Sequence, residues 1–139
     1  MTEVPFLRVA AGLISRDGRW LLTRRPPGTH LAGCWEFPGG KLEPGEGPAE
    51  ALVRELREEL GVEVRPAGEA FVLRHRYPDR EVELHFLRAR ILAGEPRPLL
   101  VDGIGWYTTD EIERLALPPA DRPIVARLRG LAAPEGEAR

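Results

Sequence analysis

The chain has 139 residues, enough for one domain with a core of ordinary size. A hydrophobic share of 42%, a net charge of −2 and mixed charges along the chain leave no basic stripe for duplex nucleic acid, and no run of about eighteen apolar residues offers a membrane span. Cys34 is the only cysteine, which excludes an internal disulfide and suits a reducing, cytoplasmic setting.

The opening stretch MTEVPFLRVAAGLIS has no basic segment ahead of its apolar run and carries Arg8 inside it, so it does not read as a signal peptide. FLRVAAGLIS and RWLLTRR are expected to form a hairpin around Asp17-Gly18, a strong turn pair. PPGTHLAGCW reads as a loop, and WEF as a short extended piece before Pro38-Gly39-Gly40. From about Gly47 to Leu60 the pattern is helical, with Pro48 suited to the first turn and Gly61 to the stop. EAFVLRHRY and EVELHFLRARI alternate apolar and polar residues around Pro78-Asp79-Arg80 and predict a second hairpin. IGWYTT predicts a further strand. Thr108 with Glu111 predicts a capping box, and a last helix is expected over 121–131. Residues 1–131 thus read as a single domain and 132–139 as a flexible tail. Mixed strands and helices with antiparallel hairpins predict an α+β or mixed-sheet α/β/α class.

The helix carries an oddity. At about 100° per residue, Glu55, Glu58 and Glu59 fall within one arc of about 100°, beside a stripe of Ala49, Leu52, Val53, Leu56 and Leu60. Like charges at i,i+4 cost roughly 0.2–0.5 kcal/mol, relieved in part if Arg54 reaches Glu50 and Glu58. A solvated charged face is the plain reading. The preceding loop, GGKLEPGE, favours another, because its glycines allow close backbone approach and Glu46 adds a carboxylate. Carboxylates plus a backbone carbonyl form an oxygen-only site suited to a hard cation, Mg²⁺ or Mn²⁺, handling a phosphorylated ligand.

Gly40, Glu46 and the run Arg54-Glu55-Leu56-Arg57-Glu58-Glu59-Leu60-Gly61-Val62 match the Nudix box, GX5EX7REUXEEXGU, at all nine of its constrained positions. The chain therefore resembles the Nudix hydrolase family. That resemblance implies a mixed sheet sandwiched between α-helices and hydrolysis of a nucleoside diphosphate linked to another moiety. It also implies that Glu55, Glu58 and Glu59 are metal ligands or catalytic carboxylates, that Gly39 supplies a carbonyl ligand, and that Arg54 orients the acidic cluster.

LLTRRPPGTHLAGCWEFPGGKLEPGE, YPDRE and LPPADRPIVARLRG extend the resemblance to the MutT-like branch, which cleans nucleotide pools by cutting triphosphates to monophosphate and pyrophosphate. By that resemblance Arg25 contacts the triphosphate or the sugar, and Lys41 with Arg25 holds phosphate charge. Glu36 and Phe37 line the base pocket, and His30 and Arg80 touch the nucleotide. Where members hydrolysing oxidised guanine nucleotides carry an asparagine, this chain has Asp121. An ionised Asp only accepts, which suits the N4 amine of cytosine and repels O6 of 8-oxoguanine unless burial raises its pKa. Asp121 is equally placed to cap the last helix. Asp102 stands nearest to a further metal-assisting glutamate of the branch. The alternatives are hydrolysis of ADP-sugars or dinucleoside polyphosphates, or a noncatalytic nucleotide-binding module. A monomer and a homodimer are both open.

Overall fold

In the computed structural model, which describes residues 5–131, the first apolar run does not form one arm of a long hairpin. It splits at Ile14. β1 (Phe6–Leu13) has both edges occupied, antiparallel by β5 (Gly39–Lys41) and parallel by β7 (Arg80–Ala93). Only β2 (Ser15–Arg16) pairs with β3 (Arg19–Arg24), across a turn in which Asp17 and Gly18 both take positive φ, 54° and 76°. The tail expected over 132–139 lies outside the described residues.

The second hairpin is longer than its sequence signal. β6 (Glu63–Tyr77) pairs antiparallel with β7 and absorbs register shifts around Glu63, Pro66 and Glu69, which explains why Pro66 and Gly68 masked its first half. The main sheet runs β5-β1-β7-β6. A smaller sheet joins β3 to β2, to β4 (Trp35–Glu36) and to β8 (Gly103–Tyr107).

Helices cover both faces of the main sheet, as an α/β/α arrangement requires. On one face α1 (Pro48–Leu60) buries Ala51, Leu52, Leu56 and Leu60 completely, against Ala10, Ile14, Val64 and Leu87. Each leucine so withdrawn from water contributes roughly 2 kcal/mol. Gly47 donates its N–H to Glu50 Oε1 (2.8 Å) at the start of α1, so Glu50 caps the helix and does not pair with Arg54. Gly61, at φ 71°, closes the end with a bond to the Arg57 carbonyl.

On the other face Phe37, Val82, Leu84 and Phe86 pack with β3, with α2 (Thr109–Ile112) and with α3 (Arg122–Leu131). The Thr108–Glu111 capping box forms with both bonds in place, 3.2 and 2.8 Å. Asp121 does not stand ahead of α3 as a cap; it ends a 3-10 turn, Pro119–Asp121, that runs straight into the helix.

Gly39 marks where the strands press closest. Its φ is 155°, and a Cβ there would lie 1.9 Å from the Ala10 carbonyl oxygen. Gly39→Ala is expected to destabilise the protein by about 2–4 kcal/mol, read as a lowered urea midpoint; an unchanged midpoint would show that β1 and β5 can separate freely.

Candidate active site

α1 places its carboxylates unequally, and the helix phase gives the reason. The fully buried arc runs from Ala51 round to Leu60; Ala49 shares that arc by angle but lies in the first turn, where it is exposed. At about 100° per residue, Glu55 and Glu59 fall inside that arc and Glu58 outside it. Glu55 accordingly keeps 16% of its side-chain exposure, and Glu58 keeps 51%. Among the described residues no three acidic, histidine or cysteine side chains converge on one point. The convergent pair is Glu55 and Glu59, which hydrogen-bond to each other.

Arg54 organises this end. Its Nε and Nη2 grip Glu46 at 2.8 and 2.9 Å, Nη2 also bonds the Lys41 carbonyl (3.0 Å), and Nη1 holds Glu55 at 2.9 Å and Glu58 at 3.5 Å. Glu46 is thereby corrected from the role that the loop reading gave it. Its carboxylate is committed to Arg54 and to the Glu43 N–H, bonds that draw its pKa down to about 2. The same bonds raise the pKa of Arg54 further. The clamp ties the glycine-rich loop to the helix and turns Glu55 onto the backbone of Gly40. A Cβ on Gly40 would lie 2.3 Å from the Glu55 carboxyl carbon, so only glycine fits beneath that carboxylate.

Burial, the bond and charge of Glu55, and the charge of Glu36 push the Glu59 pKa up to about 9. Two carboxylates in a half-buried hydrogen-bonded pair must share a proton or a cation. Their donors are oxygens only, with the Gly39–Gly40 backbone beside them. The donor set therefore fits a hard divalent ion, with Glu55 and Glu59 as its first holders.

From this pair a cavity of about 430 Å³ runs between the sheets. Arg25, His30, Glu36, Phe37, Gly39, Lys41, Arg80 and Asp121 all line it, so the structure assembles these expected residues around one space. Their roles are less uniform than their placement. Arg25 spends Nη1 on both Glu36 oxygens (3.1 and 3.0 Å) and Nε on the His30 carbonyl, so its charge is largely matched within the wall. Burial raises the Glu36 pKa while Arg25 opposes the rise. Burial lowers the His30 pKa, assisted by the charge of Arg80, and its Nε2 is buried without a hydrogen-bond partner. Arg80 leans on Asp79 at 3.1 Å.

Also in the wall, Asp121 is 7% exposed and accepts the Phe37 N–H. Burial, then the charge of Glu36, push its pKa up to about 8. It is a neutral acid at pH 7, not the acceptor-only anion that its residue type suggests. Asp102 lies elsewhere. Its N–H bonds the Arg24 carbonyl, its carboxylate sits 3.9 Å from Arg24 Nε, and it does not line the cavity. Sequence reasoning missed Leu7, Val9, Tyr77, Val82, Leu84 and Ala120 as wall residues. Strand alternation marks their face, but only the pairing of β1 with β7 shows which face looks into the cavity.

Fold and site together define an α+β protein with a cation-fitting carboxylate pair in the wall of a nucleotide-sized cavity. The chain belongs to the NUDIX domain family, whose profile matches residues 9–127, and it is a Nudix hydrolase. Enzymes of this family act with a divalent metal ion. The chain is similar to the CTP pyrophosphohydrolase of Escherichia coli, 39% identical over 129 residues, covering 91% of this chain and 94% of that one. It is also similar to the 8-oxo-dGTP diphosphatase of the same organism, 35% identical over 126 residues, covering 90% and 98%. Among solved structures, a MutT NUDIX hydrolase from Burkholderia pseudomallei matches with a TM-score of 0.80 at 30% identity, covering 88% and 98%. No helix among the described residues is long and apolar enough to cross a membrane.

The Asp121 carboxyl carries a sign for stability. Its pKa is raised from 3.8 unfolded to about 8 folded, so the native state binds the extra proton between those values. Stability from this group is full below about pH 4 and is lost as pH rises towards 8. Asp121→Asn should flatten that slope and raise stability at pH 8 on the order of 3 kcal/mol, measured by denaturant titration at pH 5 and 8. An unchanged slope would mean that Asp121 is ionised in the folded protein.

Proposed function

We propose that the protein is a Mg²⁺-dependent pyrophosphohydrolase that cleaves nucleoside triphosphates to monophosphate and pyrophosphate, cleaning the cytoplasmic nucleotide pool of 8-oxo-dGTP or cytidine-type nucleotides. One observation carries this reading. The Glu55–Glu59 pair and the neutral Asp121 line one and the same cavity, together with apolar side chains of β1 and β7 and the charged Arg25, Glu36 and Lys41.

Mg²⁺ held by Glu55, Glu59 and the Gly39 carbonyl, with Glu58 at the rim, would supply charge neutralisation for the triphosphate and a water of lowered pKa. The chain's own groups do the rest. Arg54 fixes Glu55 through Nη1, and Lys41 sets a cation at the phosphate end. A carboxylate of the cluster takes the proton of the attacking water as the phosphoanhydride bond breaks in line. Arg25, matched by Glu36, steadies the loop that presents His30 and leaves a donor-rich edge to the sugar and phosphates.

At the base end, a neutral Asp121 presents one O–H donor and one carbonyl acceptor, the complement of an asparagine amide. It pairs with O6 and N7–H of 8-oxoguanine, and equally with N3 and the N4 amine of cytosine. That duality agrees with relatives named for CTP and for 8-oxo-dGTP.

Pyrophosphate release with Mg²⁺ from 8-oxo-dGTP, CTP, 5-methyl-dCTP, dATP and ADP-ribose tests the assignment. Turnover is expected with one or more of the first three and not with ADP-ribose; ADP-ribose as the best substrate would overturn it. Glu59→Gln is expected to cut turnover at least about 10²-fold with an unchanged melting temperature. Near wild-type turnover in that variant would remove Glu59 from the metal site.

A further inference from the structure

Tyr77 does more than fill the cavity wall. It ends β6, is 9% exposed, and its ring meets His30 edge-on at 5.2 Å and His75 at 4.5 Å. Its hydroxyl reaches across 43 positions of sequence to accept the Ala120 N–H at 3.1 Å, in a buried bond. Pro118 and Pro119 have no N–H to give, the Asp121 N–H is already spent on the Pro118 carbonyl at 2.9 Å, and Ala120 N–H is the first free donor of the 3-10 turn. A helical start leaves such donors without an internal partner, and a buried one must find an acceptor elsewhere. Tyr77 is that acceptor, and the residue after Ala120 is Asp121.

We infer that Tyr77 is a positioning residue for base recognition: its hydroxyl pins the Pro119–Asp121 turn so that the Asp121 carboxyl faces the cavity at the right depth. The carboxyl is then held from two sides, by the Phe37 N–H on β4's continuation and by the pinned turn behind it. Phenylalanine would fill the same volume and keep the ring contacts with His30 and His75, but it would leave the Ala120 N–H buried and unmet. The turn would shift to reach water or another acceptor, carrying Asp121 with it. Displacements of about 1 Å at a recognition group cost up to about 10²-fold in rate.

This inference rests on the reading of Asp121 as the group that meets the base, and a double-mutant cycle separates the two. Tyr77→Phe, Asp121→Ala and the double variant are assayed with the best substrate of the panel, with melting temperatures recorded for each. Tyr77→Phe is expected to raise KM about tenfold while kcat stays within about twofold. In the Asp121→Ala background the same change is expected to raise KM by less than twofold, because the group it positions is gone. Equal KM increases from Tyr77→Phe in both backgrounds, or none in either, would overturn the positioning role while leaving Asp121 as the base reader. An unchanged KM in Asp121→Ala alone would instead overturn the base-reading assignment, and this inference with it.

Discussion

The constraint on which the site depends is the confinement of two carboxylates, Glu55 and Glu59, within the buried arc of one helix. A helix packed by Leu52, Leu56 and Leu60 has no freedom to rotate them into water without exposing its leucines. Apolar packing thus enforces an electrostatic conflict that water would otherwise dissolve. Arg54 does not cancel the conflict; it fixes where it happens. With two of its nitrogens on Glu46 and a third on Glu55, it locks loop to helix and leaves Glu59 to take up a proton or a cation. A site that holds a proton when empty and a divalent cation when filled follows from that packing.

Glu59 and Asp121 belong to one electrostatic system. Glu36 raises the pKa of both Glu59 and Asp121, and Arg25 lowers both. Because Arg25 bonds both oxygens of Glu36, this pair acts on both acids as a nearly balanced dipole. Apolar walls from β1 and β7 keep the dielectric low enough for that influence to persist.

Main-sheet topology gives the cavity its length. β1 is flanked by β5 and β7, so residues 39–41 and residues 82–84 of the cavity wall lie on either side of one strand. The parallel β1–β7 pairing brings together segments more than seventy residues apart. The 3-10 turn before α3 then closes the far end through the bond between Ala120 and Tyr77. Each boundary of the cavity is thus fixed by a backbone contact close to a functional side chain.

The sequence by itself determined the elements whose signals are local. α1 with its Gly61 stop, the Asp17-Gly18 turn, the Thr108–Glu111 capping box and the presence of the Nudix box are all decided within a few residues, by periodicity, φ requirements and fixed spacing. Most of the site residues that the same resemblance named lie in the lining of the cavity. Only the tertiary structure decided what depends on long-range pairing and burial. It broke the first hairpin at Ile14, because both edges of β1 were claimed by distant strands, and it extended β6 past Pro66 by bulges. It separated Glu58 from Glu55 and Glu59, because the rotation of a helix on a sheet is set by what it packs against. It gave Glu46 to Arg54 and Asp102 to the neighbourhood of Arg24. Above all it made Asp121 a neutral acid, since the charge of a carboxyl is a property of its surroundings and not of its letter in the sequence.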